Sequence, residues 1–176
     1  PADPLRRTRI GMPAVLSSRT PQQALAALLD QEQPARLLVV GASELPAIAA
    51  FCAAHDECHL CQVEAAPLPA EVAAQRFDLV IVADCLEHLP KRNARELIAG
   101  IRNLNSNRLA VLADLQACEW CEADFYALAM QASERFQREQ QTLSLFTYDL
   151  HDYKQVPDWL NAKFWANPQH FGKYWW

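Results

Sequence analysis

Glycine is scarce in this chain, with four among 176 residues. Loops that cradle nucleotides or phosphates use several glycines so that backbone can approach the ligand. Any ligand loop here must therefore be built with few of them. Basic charge is also short: 16 Lys and Arg stand against 21 Asp and Glu, for a net charge of -5. The only basic cluster is Arg6, Arg7 and Arg9, which reads as a solvated tail. That balance excludes a general binder of nucleic acid or of anionic membrane surfaces. No apolar run approaches the roughly 20 residues of a membrane span, and no charged start followed by an apolar stretch marks a secretion signal. Disulfide staples are not needed either. The six cysteines sit in a chain that is 51% hydrophobic and long enough to bury a full core. A reduced, cytoplasmic setting follows.

What the chain does have is a regular alternation of two periodicities. Thr20-Pro21-Gln22-Gln23 combines a capping hydroxyl, a proline at the first helical position and the Gln of a capping box. Ala24, Leu25, Leu28 and Leu29 form the apolar stripe, and Gln33-Pro34 ends the helix. Leu37-Leu38-Val39-Val40-Gly41 reads as a strand buried on both faces, hence parallel. Ser43 is placed to cap the helix that follows, which runs to about His55. Residues 58–64 read as a second strand, 67–75 as a short helix or turn, and 77–84 as the clearest strand of all. Asn93-Ala94-Arg95-Glu96 matches a second capping box, followed by the stripe Leu97, Ile98, Ile101 and Leu104. Residues 108–113 are another buried strand. Phe125, Leu128, Ala129, Ala132 and Phe136 follow helical spacing and predict one amphipathic helix. Residues 142–148 form the last strand.

Strands alternating with helices predict a three-layer, doubly wound (Rossmann-like) α/β fold with a mainly parallel five-stranded sheet. Right-handed crossovers restrict the topology, and with the second and third strands on opposite sides of the first the expected order is 2-1-3-4-5, with the switch point between the first and third strands. Ligands of such sheets bind at the carboxyl ends there. Those ends are Gly41-Ala42-Ser43 and Asp84-Cys85-Leu86-Glu87-His88.

The same residues carry a resemblance. The Leu37–Gly41 strand, the acidic Glu64 ending the next strand, and above all Phe77-Asp78-Leu79-Val80-Ile81-Val82-Ala83-Asp84-Cys85-Leu86-Glu87-His88-Leu89 resemble the class I S-adenosylmethionine-dependent methyltransferases. Within that superfamily the chain is similar to short bacterial proteins with a degenerate glycine loop and ends rich in Trp and Tyr. The resemblance covers roughly residues 35–150. It implies S-adenosylmethionine as the cofactor. Gly41 and Ser43 would stand in the turn facing it, and Glu64 would accept hydrogen bonds from the ribose hydroxyls. Asp84 would lie near the transferred methyl, and Asp84 with His88 would orient the acceptor. Glu64 follows Gly41 by 23 positions, close to the spacing of dinucleotide-type sites. The pattern also departs from the family. One glycine replaces the usual two or three, residues 65–77 are too few for a helix-strand-helix insert, and Asn103-Leu104-Asn105-Ser106-Asn107 replaces the usual glycine turn. Two functions follow: a domain binding S-adenosylmethionine or a related nucleoside, or an inactive methyltransferase-like interaction or regulatory module.

Three other patterns need weighing. Cys52, His55, Cys58 and Cys61 recur every three residues, and Cys118-Glu119-Trp120-Cys121 is a second CxxC. Positions i and i+3 of a strand face opposite ways, so Cys58 and Cys61 cannot converge on zinc, and free thiols with no metal are expected. A phosphoreceiver would need an acidic pair where Gly41-Ala42-Ser43 stands and a lysine near Asp149-Leu150-His151. Finally, ten of 16 aromatics fall in residues 146–176, ending in Tyr174-Trp175-Trp176. Such an end is an exposed apolar liability unless docked on this chain or bridging a homodimer. The expected organisation is an irregular arm over 1–19, the Rossmann-like domain over 20–150 and an aromatic extension over 151–176.

Overall fold

Strand alternation sends Leu37 and Val39 to one face and Leu38 and Val40 to the other, and the two pairs join two separate apolar clusters. That parity organises the whole molecule. The computed structural model describes residues 15–64, 66–137 and 141–153. The arginine cluster of the arm and the aromatic segment 154–176 lie outside the described residues.

The chain runs β1 (Val15–Leu16), α1 (Pro21–Glu32), β2 (Arg36–Val40), α2 (Pro46–Ala54), β3 (His59–Val63) and α3 (Ala70–Ala73). It continues through β4 (Leu79–Ala83), α4 (Lys91–Gly100), β5 (Arg108–Asp114), α5 (Glu122–Ala127), β6 (Gln131–Gln137), β7 (Thr142–Asp149) and α6 (Leu150–Tyr153). The sheet order is β1-β6-β7-β5-β4-β2-β3. The five strands legible in the sequence are β2, β3, β4, β5 and β7, and they stand in the expected 2-1-3-4-5 order. In-register parallel pairs such as Leu38 with Cys61 and with Val80 build the centre. Helices α1 and α2 cover one face through Leu25, Leu29, Ile48 and Phe51. Helices α3, α4 and α5 cover the other through Val72, Leu97, Ile98 and Phe125.

Among the described residues the sheet has seven strands where five were expected. One addition is the described end of the arm. Val15–Leu16 pairs parallel with β6, and Arg19 holds Glu134 through a two-pronged ion pair. The other addition corrects the long helix expected over 125–136. Its first part is α5, but Ala129 takes a left-handed φ of 61° and residues 131–137 form β6, antiparallel to β7. Phe125 packs into one apolar layer and Phe136 into the other, and no single helical stripe could reach both faces of a sheet. β7 in turn runs antiparallel to β5.

The helix starts also divide. Thr20 caps α1 as a full capping box, with Gln23 N–H to Thr20 Oγ1 at 3.2 Å and Thr20 N–H to Gln23 Oε1 at 2.9 Å. Helix α2 instead begins after Leu45 with no side-chain cap, so Ser43 does not cap it. The expected box at Asn93 does not form, because α4 already starts at Lys91 behind Pro90. Helix α4 then widens into a π-helical turn, Ile101–Asn105, closed by Ser106 N–H to Ile101 O at 3.1 Å. The wider turn rotates Leu104 out of the buried stripe.

Asp124 supplies a pH test of this packing. Its carboxylate accepts the Cys121 N–H at 2.9 Å, meets Lys91 Nζ at 2.9 Å, and is pushed down to about 2, chiefly by the Cys121 amide and then by Lys91. An unfolded Asp titrates near ~3.9. A folded value below that contributes stability above pH ~4 that is lost as pH falls toward 2. Asp124→Asn is expected to flatten the acid limb of stability in that window. An unaltered limb in urea unfolding across pH would discount the Asp124 contacts.

Candidate functional site

The carboxyl edge of β2 and β4 is where the switch point lies, and the residues there are tied to one another. Gly41 follows β2 with a φ of 152°, a conformation that favours glycine. A Cβ at Gly41 would sit 1.6 Å from the Ala83 carbonyl oxygen, so β4 fills the space a side chain would need. Gly41 N–H donates to Val63 O at 2.9 Å, and Ala42 N–H donates to Asp84 O at 3.3 Å. The loop is therefore stitched to both neighbouring strands.

Asp84 directly follows β4 with a left-handed φ of 51°. A non-glycine residue there is uncommon, although Asp tolerates it best. Its two carboxylate oxygens are used separately. Ser43 Oγ donates to Oδ2, and His88 Nε2 lies 2.8 Å from Oδ1. The Ser43 hydroxyl, followed by His88, holds the Asp84 carboxyl below the usual range against the opposing effect of burial. Ser43, Asp84 and His88, expected from the sequence at one edge, are brought together here. Their order is hydroxyl, carboxylate, imidazole. A nucleophilic triad needs the imidazole in the middle, so that it can take the serine proton. Ser43 is thus a tether for Asp84 and not an activated nucleophile.

Glu64 immediately follows β3, exposed, and neighbours the loop through the Val63 carbonyl that Gly41 uses. Two further residues went unread in the sequence. Gln22 of α1 places Oε1 3.1 Å from Ala47 N–H, occupying the first turn of α2 where an anion would otherwise dock. Glu87, in the 3-10 turn Leu86–His88, accepts the Asp114 N–H at 2.7 Å and so joins the exit of β4 to the end of β5. Its Oε2 is buried with no partner among the described residues. Only the acidic residue inside the Leu-Glu-His-Leu run signalled Glu87; nothing local signalled Gln22.

Of the cysteines, Cys85 lies at this edge, directly after Asp84. Cys52 and Cys58 pack on the α1 and α2 side and Cys61 on the opposite side of the sheet. Burial, together with the neighbouring Cys52, pushes the Cys58 thiol up to about 11, and burial does the same to Cys85. Both are thiols at neutral pH, not nucleophilic thiolates. Cys121 precedes α5 and donates Sγ–H to Asp124 at 3.3 Å. Among the described residues no three His, Cys, Asp or Glu side chains converge as metal ligands. No described helix is long and apolar enough to cross a membrane.

Comparison with solved structures gives the fold. Magnesium protoporphyrin IX methyltransferase (ChlM) from Synechocystis PCC 6803, with bound SAM, is 15% identical with a TM-score of 0.51, over 73% of this chain and 77% of that one. The Burkholderia thailandensis 1,6-didemethyltoxoflavin-N1-methyltransferase, with S-adenosylhomocysteine, is 16% identical with a TM-score of 0.50, over 73% and 78%. The methyltransferase domain of bacterial CtHen1 is 10% identical with a TM-score of 0.52, over 73% and 96%. No curated protein matches the chain. The described fold is that of the class I S-adenosylmethionine-dependent methyltransferases, with the antiparallel strand at its carboxyl-terminal end. Residues 19–176 match the family of unknown function DUF6231, and the chain belongs to that family.

Proposed function

We propose that this chain is a methyltransferase-like domain that serves as an interaction module and does not transfer methyl groups. The observation that carries this reading is the closure of the cofactor edge by the chain's own groups. S-adenosylmethionine brings a carboxylate, an ammonium group and a sulfonium, and backbone must come close to hold them. Here the Gly41 and Ala42 amides already donate to Val63 and Asp84. The open side of Gly41 is filled by the Ala83 carbonyl. Ser43 and His88 occupy both oxygens of Asp84, and Gln22 occupies the start of α2. The cofactor does not fit this donor set unless several of these bonds break, and no chemical step is derived through it.

Titration calorimetry of the whole chain with S-adenosylmethionine and with S-adenosylhomocysteine tests the proposal. The expected result is no saturable heat up to roughly 1 mM ligand, the level of about 4 kcal/mol of binding free energy. A micromolar dissociation constant for either would overturn it.

A second reading, nucleoside binding, is favoured by one observation: the exposed carboxylate of Glu64 at the end of β3, beside the loop. A carboxylate can accept both hydroxyls of a ribose. If binding is found, Glu64→Ala should weaken it about tenfold or more, because hydrogen bonds to a charged acceptor contribute about 1.5–3 kcal/mol. Unchanged affinity in that variant would remove Glu64 from the site.

A further inference from the structure

Beside the carboxyl edge, the short crossover between β3 and β4 leaves an open groove that starts at the 66–68 loop and Leu89. Where an added helix and strand would fit, the chain has only the four-residue α3. The groove encloses about 470 Å³ between the 66–68 loop, α3 and the end of α4, within the size range of binding pockets (~300–1,000 Å³). Its lining mixes the apolar Leu68, Leu89 and Leu97, with Leu104 at one end, and the polar Asn93 and Glu96. Leu104 is 67% exposed, the highest value among the large exposed apolar side chains of the described residues. It is turned outward by the π-helical turn, a local distortion of a kind frequent at functional sites.

We propose that this groove is the docking site of the chain's own aromatic segment, residues 154–176. The place where the chain leaves the described fold supports this occupant. Leu150 N–H donates to Asn107 O at 2.8 Å, and His151 lines a cleft with Arg76 and Asn107. Arg76 reaches the Asn107 side chain at 3.0 Å and the Leu104 carbonyl at 3.3 Å. One side chain thus joins the departure point to the groove's end. The segment that follows can span at most about 80 Å when extended, ample to lie along it. It carries Trp159, Phe164, Trp165, Phe171, Tyr174, Trp175 and Trp176, the residue types that anchor in apolar pockets. The family match runs through Trp176, so groove and segment belong to one inherited unit.

Four of the five tryptophans lie in the segment, and the fifth, Trp120, is buried in the core and serves as a constant background. Tryptophan emission and acrylamide quenching of the full chain therefore read the docking. Leu104→Asp, at a position exposed enough to leave the core intact, should shift emission to the red and raise quenching at least twofold. The uncharged Leu104→Gln should move both the same way. Leu16→Asp is the control: Leu16 is 59% exposed, on the edge strand at the far side of the sheet, and it should move neither. Unshifted emission in both Leu104 variants, with circular dichroism showing the fold retained, would overturn the proposal. A dimer by light scattering that Leu104→Asp dissociates would also overturn it, by assigning the groove to a second copy's segment.

Discussion

Gly41→Ala is expected to destabilise the chain by at least about 3 kcal/mol, the range of severe overpacking. The new methyl would sit 1.6 Å from the Ala83 carbonyl oxygen, and the contact is backbone on both sides, so no flexible side chain can give way. Relief requires separating β2 from β4 at the centre of the sheet, where Val40 and Val82 are fully buried. The φ of 152° adds strain for any residue with a Cβ. In a protein of this size each kcal/mol moves the melting temperature by roughly 2–4 °C, so a fall of roughly 6–12 °C should appear in a thermal scan. Gly100→Ala is the contrast. A Cβ there meets nothing within 4 Å, and Gly100 lies in α4. That change should stabilise by about 0.5–1 kcal/mol through helix propensity. Equal, small effects at both positions would contradict the tight seam between the loop and β4. The same seam underlies the proposed loss of methyl transfer, because a glycine used to admit β4 is not free to admit a cofactor.

Phe125→Ala should cost about 3–5 kcal/mol. Phe125 is fully buried and stacks on Phe146 of β7 with ring centroids 3.8 Å apart and planes 4° apart. Trp120 tilts against it at 4.8 Å. Helix α5 has only six residues, too short to hold itself, so this aromatic stack fastens it to the sheet. Small domains carry only about 5–15 kcal/mol of net stability, and the loss would consume a large part of it. Phe125→Leu, which keeps most of the volume, should lose less than half as much. Urea unfolding of the two variants makes the comparison. Matching midpoints for Phe125→Ala and the parent would show that α5 is not fastened through this ring.

Some of this was visible along the chain because its cause is local. The Thr20 capping box closes within four residues, and its geometry is that of the sequence pattern. The run Leu79–Ala83 is apolar at every position because both faces of β4 are covered, and such a run has few other uses. The order of β3, β2, β4 and β5 is the one expected when right-handed crossovers run to opposite sides of the first buried strand. Glu64, Asp84 and His88 could be placed at one edge because each ends or follows a strand.

Other features depended on partners far away in sequence. Ser43 looks like a cap from its neighbours, yet its hydroxyl goes to Asp84, 41 positions on, and α2 has no side-chain cap. The apolar spacing from Phe125 to Phe136 fits a helix, but β7 presents an unpaired edge that β6 satisfies with six paired residues of antiparallel ladder, irregular between Ala132 and Glu134. Period counts cannot register that edge, since it exists only once β7 has added antiparallel to β5. Leu104 fits the stripe of α4 until the π-helical turn rotates it outward. By itself the sequence determined the covered parallel sheet and the place where a ligand edge must lie, because burial and chirality act residue by residue. Only the tertiary structure decided that Ala83, Ser43, Gln22 and His88 meet the loop, Asp84 and α2 at this edge and that a groove opens beside α4, because those contacts join groups far apart in the sequence.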